Sequence, residues 1–424
     1  MSVIISFFKK YLLSTLLFLF CQQLSIAQQK KNVLFIGNSY TAYNNLPQLT
    51  ANVALSAGDT LTFDSNTPGG QTFQGHSTNS QTLAKIQAGG WDFVVLQEQS
   101  QLPSFPIQQV QNQVFPFARK LDSLIHAATP CAQTLFYMTW GRKNGDANNC
   151  QFLPDLCTYE GMDNLLRERY MMMTNDNNAQ VSPVGAIWRY LREHHPGIEL
   201  YQSDESHPTL EGSYVAACAF YTAIFRKNPE LITFNAGISS TVANQIKQAA
   251  KLVVYDSLAH WKIGIYDPVA AFSYTAQTNQ LAFENTSQHA TDYLWDFGDG
   301  STSTEQNPTH IYTAVGSYTV TLIARHCGQT DTLEHVIPVQ SLAVPSTDNK
   351  TILVYPNPVN DQLHIRSSGT AEVQLLDLTG RTVLTGVVAT DGKSTLLLHQ
   401  VPNGHYTLKI RIGEHDYFKQ VIKQ

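Results

Sequence analysis

The chain has 424 residues, of which 43% are hydrophobic, and its formal net charge is −6. This length exceeds one ordinary domain and allows a large buried core, so we expect two or three domains. No run of lysine and arginine supplies the basic surface that phosphate binding needs. The composition therefore argues against a nucleic-acid partner and favours a neutral or weakly polar substrate.

Residues 1–27 have the pattern of a signal peptide. Lys9 and Lys10 precede the apolar run YLLSTLLFLF, and SIA ends at Ala27 with small residues at the −3 and −1 positions. The run is shorter than the roughly 20 residues that span a bilayer, and no later apolar run is long enough. We expect a cleaved signal and an exported protein without a transmembrane segment, with an uncleaved anchor as the alternative.

The residue pattern of the rest of the chain changes twice. Up to about residue 260, short apolar runs such as NVLFIG and DFVVLQ alternate with helical patterns such as VFPFARKLDSLIHAA, which predicts crossover units on a parallel sheet. Beyond this point the helical period gives way to short alternating strands separated by turn residues, which is typical of small sandwiches. The predicted units are an α/β domain over 28–262, a β module over 267–341, a linker over 342–350 and a second β module over 351–424.

Five cysteines follow the predicted signal peptide, so at least one thiol is unpaired. Cys150 and Cys157 flank a short loop that a local disulfide could close in an oxidising compartment. Cys218 lies in the apolar helical stretch SYVAACAFYTAIF, where a buried, inert thiol is expected. Neither C-x-x-C pairs nor a histidine-rich tract indicates a metal site, and no cofactor is expected.

The first motif of chemical interest is FIGNSYT, which contains Ser39. A strand that runs directly into NSYT would deliver this serine to the carboxyl edge of a parallel sheet, where ligands collect. Gly37 permits a tight turn between the strand and a following helix. The alternative is that Asn38 and Ser39 merely cap that helix, as these residue types often do.

The second motif is YQSDESHPTLEG, in which His207 follows Asp204 by three positions. A serine hydroxyl needs a base to take its proton, and the base works best when a carboxylate fixes its tautomer and stabilises the imidazolium. Three-residue spacing at a turn allows Asp204 to reach one ring nitrogen while the other faces the serine. Glu205 is the competing acid, and a solvated loop histidine beside a capping aspartate is the alternative.

FIGNSYT and DESHP together resemble the SGNH (GDSL-like) hydrolase superfamily over residues 31 to about 225. The resemblance implies a flavodoxin-like fold, in which a parallel sheet is sandwiched by helices, and ester hydrolysis through an acyl-serine. It assigns Ser39 as the nucleophile, His207 as the base and Asp204 as the acid. Asn38 stands where the family motif usually has aspartate.

The same resemblance implies an oxyanion hole formed by the amide of Ser39, a glycine amide after the second strand and a side-chain amide after the third. NTPGGQTFQGH offers Gly69 and Gly70, and the role maps to Gly70. After the third strand the chain reads QEQSQ instead of the family's Gly-x-Asn-Asp. Gln97 or Gln99 could supply the NH2 donor, and some sugar acetylesterases of the superfamily place a glutamine directly after this strand, which favours Gln97.

Other residues at the same predicted edge are candidate substrate contacts. Trp140 and Arg142 follow the strand TLFYMTW, where an indole could stack on a sugar and a guanidinium could bind a polar group. Asn38 and Gln99 are further candidates, whereas Trp140 closing the core is the structural alternative. His76 is a loop histidine that we expect to be solvated, without a role.

The middle module resembles a PKD domain, through its W-D-F-G-D-G turn, its N-P-x-H-x-Y segment and its G-x-Y-x-V-x-L strand. This resemblance implies an immunoglobulin-like sandwich that spaces or binds. The last module resembles the C-terminal sorting domain of type IX secretion cargo from Bacteroidetes, through VYPNPVNDQLHI, DLTGR and NGHYTLKI. That resemblance implies the type IX machinery as a partner, export across the outer membrane, and removal of the module or attachment to the cell surface.

Two functions fit these patterns. The first is a secreted serine esterase that removes ester groups, O-acetyl groups above all, from carbohydrates. The second is a non-catalytic surface adhesin or glycan-binding protein that keeps a hydrolase-like fold, since fold alone does not fix activity.

Overall fold

The structure is a computed structural model that describes residues 28–277, 280–339, 352–367, 370–378, 380–388, 393–413 and 415–424. The predicted signal peptide, 1–27, and the predicted linker, 342–350, lie outside these residues. The described residues form two compact units, and each is described by itself. The first unit contains the α/β domain with segments 282–308 and 318–337, and the second contains segments 275–281, 309–317 and the described residues from 338 onward.

A five-stranded parallel sheet organises the α/β domain, in the order β2-β1-β3-β4-β5. This order is that of the flavodoxin-like doubly wound fold, and it confirms the predicted fold class. The strands that lie inside the sheet read as continuous apolar runs because both of their faces are buried, as in FVVL. The strands are β1 (Lys30–Ile36), β2 (Thr60–Asn66), β3 (Phe93–Leu96), β4 (Gln133–Tyr137) and β5 (Gln180–Ser182).

Helices connect the strands and pack against the sheet. One of them, Leu210–Phe225, is buried from Gly212 to its end, which explains why its sequence is apolar on all sides. The α-helices are α1 (Ser39–Ala42), α2 (Leu46–Ser56), α3 (Phe73–His76), α4 (Ser80–Ala88), α5 (Ile107–Gln113), α6 (Phe115–Ala128), α7 (Tyr159–Asp176), α8 (Val184–His194), α9 (Leu210–Phe225) and α10 (Ser240–Val253). Short 3₁₀ helices span Tyr43–Asn45, Leu102–Ser104, Pro154–Cys157, Pro229–Leu231 and Tyr255–Trp261.

The carboxyl ends of β1 and β3 lie side by side. Ile36 pairs with Leu96 in register, and the N–H of Gln97 donates to the Ile36 carbonyl at 2.9 Å. The strand order reverses between these two strands, and ligands of open α/β sheets bind outside the carboxyl ends at such a point. The topology therefore brings the residues after β1 and those after β3 to the same edge.

Two disulfides are present among the described cysteines. Cys150 and Cys157 are bridged, with a Cα–Cα distance of 4.7 Å, which confirms the predicted local disulfide. A second bridge joins Cys131, just before β4, to Cys327, and its Cα atoms are 5.2 Å apart. Sequence spacing gave no sign of this pairing because the two cysteines are 196 positions apart. Cys218 is a buried free thiol, as predicted.

The remaining strands form antiparallel modules, as predicted. Strands of the middle module lie in two sheets, ordered β10-β7-β6 and β12-β11-β8-β9, with Trp295 fully buried. Strands of the last module lie in sheets ordered β13-β14-β17 and β16-β15-β18-β19. The middle strands are β6 (Phe272–Gln277), β7 (Gln280–Asn285), β8 (Asp292–Asp296), β9 (Thr302–Ser303), β10 (Thr309–Ile311), β11 (Gly316–His326) and β12 (Gln329–Val339). The last strands are β13 (Leu353–Tyr355), β14 (Gln362–Arg366), β15 (Ala371–Leu376), β16 (Thr382–Val388), β17 (Lys393–Leu397), β18 (Gly404–Ile412) and β19 (His415–Lys423).

Within the part of the chain that the structure describes, no helix combines the length and apolar character needed to cross a membrane.

Candidate active site

In the turn after β1, the following helix is capped by Asn38 and not by Ser39. Asn38 is the N-cap of α1, and its side chain accepts a hydrogen bond from the Tyr40 N–H at 3.2 Å. Ser39 is the first helical residue, so its N–H has no acceptor inside the helix. Because Asn38 performs the capping, the Ser39 side chain is left for other contacts.

Ser39, His207 and Asp204 lie in one hydrogen-bonded chain. The Ser39 Oγ is 2.9 Å from His207 Nε2, and His207 Nδ1 is hydrogen-bonded to Asp204 Oδ2. Asp204 Oδ1 also accepts the backbone N–H groups of Ser206 and His207, each at 3.0 Å. The acid therefore orients both the imidazole and the loop that carries it. The competing acid, Glu205, instead contacts the Asn144 side chain.

The pKa of Asp204 reflects this geometry. Burial acts to raise the pKa, but hydrogen bonds from the His207 side chain and from the backbone of His207 and Ser206 outweigh it, and the pKa lies below its usual value. Asp204 is therefore ionised at neutral pH. A carboxylate in this position favours the Nδ1–H tautomer of His207, which leaves Nε2 free to accept the Ser39 hydroxyl proton.

Two tyrosines of the segment after β1 pack against the imidazole, and the sequence analysis did not single out either. Tyr43 stacks on the His207 ring with centroids 4.5 Å apart, and it is 37% exposed. Tyr40 meets the same ring edge-on at 5.3 Å, and its hydroxyl is 2.6 Å from Ser206 Oγ. Tyr43 lies four positions after Ser39, a helical spacing that could have flagged it.

Gln97 has a different role from the predicted one. Its Oε1 accepts the Asn38 N–H at 2.9 Å and the Thr41 hydroxyl at 2.8 Å, and its Nε2 donates to Asn38 Oδ1 and to the Glu98 carbonyl. Both amide hydrogens are therefore occupied and the side chain is fully buried, so the geometry contradicts an oxyanion-donor role. Gln97 instead braces the turn that carries Ser39.

The close approach of Gln97 explains the glycine at position 37. A Cβ on Gly37 would lie 2.7 Å from Gln97 Oε1 and would also collide with the Thr41 hydroxyl. Its φ is not in the left-handed region, so space rather than backbone conformation requires glycine here.

The segment after β2, which carries Gly70, is anchored beside the serine turn. Asn38 Nδ2 donates to the Gln71 carbonyl at 3.0 Å. Gly70 itself is exposed with φ of +69°, a left-handed conformation that favours glycine. The Gly70 N–H therefore lies one residue before the Gln71 carbonyl, which is hydrogen-bonded to Asn38, the N-cap of α1.

A buried glutamate that the sequence analysis missed lies beneath this segment. The Glu98 side chain accepts the Phe73 N–H at 3.0 and 3.1 Å and the Gln99 N–H at 2.6 Å. Burial raises its pKa to about 8, against the opposing effect of these hydrogen bonds. An ionisable residue two positions after an apolar strand is itself a signal, because Glu is almost never fully buried without a specific partner.

His76 is not solvated, contrary to the expectation from its loop-like sequence. It is fully buried, with Nε2 2.8 Å from the Gly37 carbonyl and Nδ1 2.8 Å from the Thr82 hydroxyl. Because a carbonyl only accepts, Nε2 carries the hydrogen. Burial lowers the pKa of His76, partly offset by this bond to Gly37, so the ring is neutral at neutral pH.

Trp140 is a core residue rather than a substrate contact. Its ring is fully buried, stacks between Tyr40 and Trp188, and donates from Nε1 to the Ser206 carbonyl at 3.1 Å. No face of the indole is open to a sugar. The sequence could not separate this outcome from the functional one, because both place Trp140 at the end of the same strand.

The other candidate contacts also have structural partners. Gln99 Oε1 accepts the N–H groups of Gln101 and Leu102, so Gln99 shapes its own loop. Arg142 is half-buried, with Nη1 3.6 Å from the buried carboxylate of Asp146. Arg142 thus remains a candidate contact, whereas Asn38 is 2% exposed and is occupied by the turn.

The arrangement can perform nucleophilic acyl transfer, because a hydroxyl, a base and an orienting carboxylate are in hydrogen-bonding order. Among the described residues no cluster of three or more His, Cys, Asp and Glu side chains has the proximity to hold a metal ion.

Comparisons with known proteins identify the two β modules. Residues 267–340 match the model of the PKD domain, and residues 353–424 match that of the secretion system C-terminal sorting domain. The pre-pro-metalloprotease PrtV of Vibrio cholerae is 42% identical over 79 residues, which are 18% of this chain. The chain spans only 9% of the length of that relative.

Solved structures resemble the N-terminal part. A DUF4886 family protein from Bacteroides uniformis has 17% identity and a TM-score of 0.46, covering 55% of this chain and 95% of its own. A protein of Slackia heliotrinireducens provisionally described as an SGNH hydrolase has 25% identity and a TM-score of 0.38, covering 45% of this chain and 97% of its own. The sorting module supports secretion or display at the cell surface. Residues 267–340 therefore belong to the PKD domain family, and residues 353–424 belong to the secretion system C-terminal sorting domain family.

Proposed function

We propose that this protein is a serine ester hydrolase of the SGNH type. The observation that carries the proposal is the hydrogen-bonded chain from Ser39 Oγ through the imidazole of His207 to Asp204. The three residues come from two loops that are separated by more than 160 positions, and they meet at the edge of the sheet where ligands bind.

In the proposed reaction the Ser39 oxygen attacks the ester carbonyl carbon while His207 Nε2 takes the hydroxyl proton. The tetrahedral intermediate collapses as the bond to the alcohol oxygen breaks, and the imidazolium returns its proton to that oxygen. Water, deprotonated by the same nitrogen, then attacks the acyl carbon, and the imidazolium returns the proton to the Ser39 oxygen as the acid is released. Asp204 stabilises the imidazolium in both half-reactions without taking the proton.

The negative charge of the intermediate requires hydrogen-bond donors. The Ser39 N–H has no acceptor within its helix, and we assign it as the first donor. The Gly70 N–H is the second, since its segment is bonded to Asn38 beside the serine. The Gln97 side chain is not a donor in this proposal, because both hydrogens of its amide are occupied.

Carbohydrate O-acetyl esters are the proposed substrate class. Tyr43 supports this choice, because it is a partly exposed aromatic ring against the imidazole of the base. Aromatic faces at such positions pack against the apolar faces of sugars. Because the chain carries a sorting module, the enzyme would meet its substrate outside the cell, after delivery by the type IX machinery.

A fluorophosphonate probe tests the proposal without knowledge of the natural substrate. An activated serine displaces fluoride from phosphorus, and a stable phosphonylated serine remains. We expect labelling of wild-type protein at Ser39, no labelling of Ser39→Ala, and full labelling of the control Ser240→Ala, which alters an exposed serine of α10. Acetate release from acetylated xylan, pectin and 4-nitrophenyl acetate then separates polysaccharide from generic esterase activity.

The outcomes distinguish a carbohydrate esterase, a hydrolase of other esters and a non-catalytic binding protein. Labelling without acetate release from any glycan would keep the hydrolase and remove the carbohydrate assignment. Absence of both labelling and ester hydrolysis above the Ser39→Ala background would contradict the hydrolase proposal and leave a non-catalytic glycan-binding protein.

A further inference from the structure

We propose that Glu98 is a positioning residue that fixes the Gly70 segment, and with it the second oxyanion donor, against the nucleophile turn. This inference rests on the proposed ester hydrolysis and adds to it a residue that never touches the substrate. It concerns a buried carboxyl outside the Ser39–His207–Asp204 chain.

The carboxyl of Glu98 holds the segment after β2 from below. Both oxygens face the N–H of Phe73, at 3.0 and 3.1 Å, and Oε1 also accepts the Gln99 N–H at 2.6 Å. The side chain is fully buried between the end of β3 and the start of α3. In such a buried setting a hydrogen bond is stronger than in water, and a donor left without its acceptor is costly.

Gly70 cannot hold its own position. Gly70 is exposed, and a Cβ added to it would meet no atom within 4 Å, so no side-chain packing holds this residue in place. Its place must be set by neighbouring residues: the Gln71 carbonyl is bonded to Asn38, and the first buried residue on the C-terminal side is Phe73, three positions away. A shift of the Phe73 N–H would therefore be transmitted to the Gly70 N–H through only two intervening residues.

Three hydrogen bonds join this segment to neighbouring parts of the described α/β domain. Asn38 Nδ2 bonds to the Gln71 carbonyl, Glu98 bonds to the Phe73 N–H, and His76 bonds to the Gly37 carbonyl. The Asn38 and His76 contacts lead back to the nucleophile turn itself. Glu98 follows β3 by two positions and connects the segment to that part of the sheet edge, while the buried Phe73 ring also packs against Phe136 of β4.

Removing the acceptor leaves the buried N–H of Phe73 and the partly buried N–H of Gln99 unsatisfied, and the backbone would move to satisfy them. Oxyanion donors are effective when they lie about 2.7–3.1 Å from the position of the developing oxyanion, so a small shift of the backbone weakens them. We therefore expect loss of the Glu98 acceptor to lower kcat more than it changes KM. A role in stability alone would lower the folded fraction and leave kcat per folded molecule unchanged.

Three variants separate these roles. Glu98→Leu removes the acceptors, Glu98→Asp retracts them by one methylene, and Glu98→Gln keeps Oε1, which accepts both N–H groups in the wild type. Asp122→Asn is the matched control, because it converts another largely buried carboxyl on α6, one that accepts the Thr134 hydroxyl. The full chain is used throughout.

With 4-nitrophenyl acetate we expect kcat to fall about tenfold to a hundredfold in Glu98→Leu. This fall is smaller than the full loss of one oxyanion donor would cause, because the donor is displaced and not removed. We expect Glu98→Gln and Asp122→Asn to stay within about threefold of wild type. Hydrogen exchange measured by mass spectrometry should be faster in the peptide that covers 68–77 in Glu98→Leu and Glu98→Asp, and unchanged in Glu98→Gln.

Wild-type kcat in a folded Glu98→Leu, or in Glu98→Asp if the leucine variant does not fold, would overturn the proposal. Unchanged exchange in 68–77 would overturn it as well. If wild-type protein neither hydrolyses esters nor reacts with the fluorophosphonate, the proposed function fails. The exchange measurement then still reports whether Glu98 holds the Gly70 segment, so the two failures remain distinguishable.

Discussion

Replacing Glu98 by glutamine removes a proton-binding group from the core, and the pH dependence of stability measures its effect. Burial raises the pKa of this carboxyl from its usual value of 4.5 to about 8 in the folded protein. Between these two values the folded state binds the proton and the unfolded state releases it. The free energy of unfolding must therefore fall as pH rises, by about 1.4 kcal/mol per pH unit for this group.

The structure sets the size of the effect. Across the whole window the contribution amounts to about 5 kcal/mol, and between pH 5.5 and 7.5 to about 2.7 kcal/mol. In Glu98→Gln this contribution is absent, because the amide does not titrate. Groups such as Asp163, whose pKa burial raises to about 6, titrate in both proteins and cancel in the difference.

Urea unfolding of wild type and Glu98→Gln at several pH values gives the difference directly. Far-ultraviolet circular dichroism is a suitable signal, because the described α-helices all lie in the α/β domain. We expect the variant to gain stability relative to wild type as pH rises from 5 to 8. Parallel stability curves over this range would refute the reasoning and would show that the carboxyl is ionised at low cost.

Further predictions concern the site and the disulfides. Asp204→Asn should reduce kcat about a thousandfold or more with little change in KM, because the amide favours the wrong tautomer of His207; steady-state kinetics against wild type checks this. Tyr43→Ala should lower kcat several-fold and leave the urea midpoint almost unchanged, because the ring packs on the imidazole but is 37% exposed; an unaltered kcat would exclude a positioning effect. Non-reducing peptide mapping should recover one peptide pair linked through Cys131 and Cys327, and the serine double variant should lose about 2–4 kcal/mol of stability.

Some elements could be predicted from local patterns alone. Alternation of buried strands with amphipathic helices fixes the parallel sheet, because periodicity and length are properties of short segments. The three-residue spacing of Asp204 and His207 likewise predicts their contact, since a turn of that size brings the two side chains together. The short loop between Cys150 and Cys157 predicts its own disulfide in the same way.

Other assignments failed because they depended on which direction a side chain takes. Gln97 follows β3 as predicted, but its amide points into the turn of Asn38 instead of into the site. Trp140 ends its strand at the right edge and then packs into the core. His76 sits in a segment of loop-like sequence, and only the packing of α3 against the end of β1 buries it.

By itself the sequence determined the alternation of strands and helices along the chain, the two family modules at the C-terminal end and the pairing of acid with base. The tertiary structure alone decided that Gln97 is a brace and that Glu98 is buried near the Gly70 segment, and it brings Ser39 to His207, a meeting that the sequence indicated only through the family resemblance. The physical reason is range. Periodicity, capping and turn spacing act over a few residues, whereas these contacts join segments 25 to 168 positions apart, which only the crossover of strands around the sheet brings together.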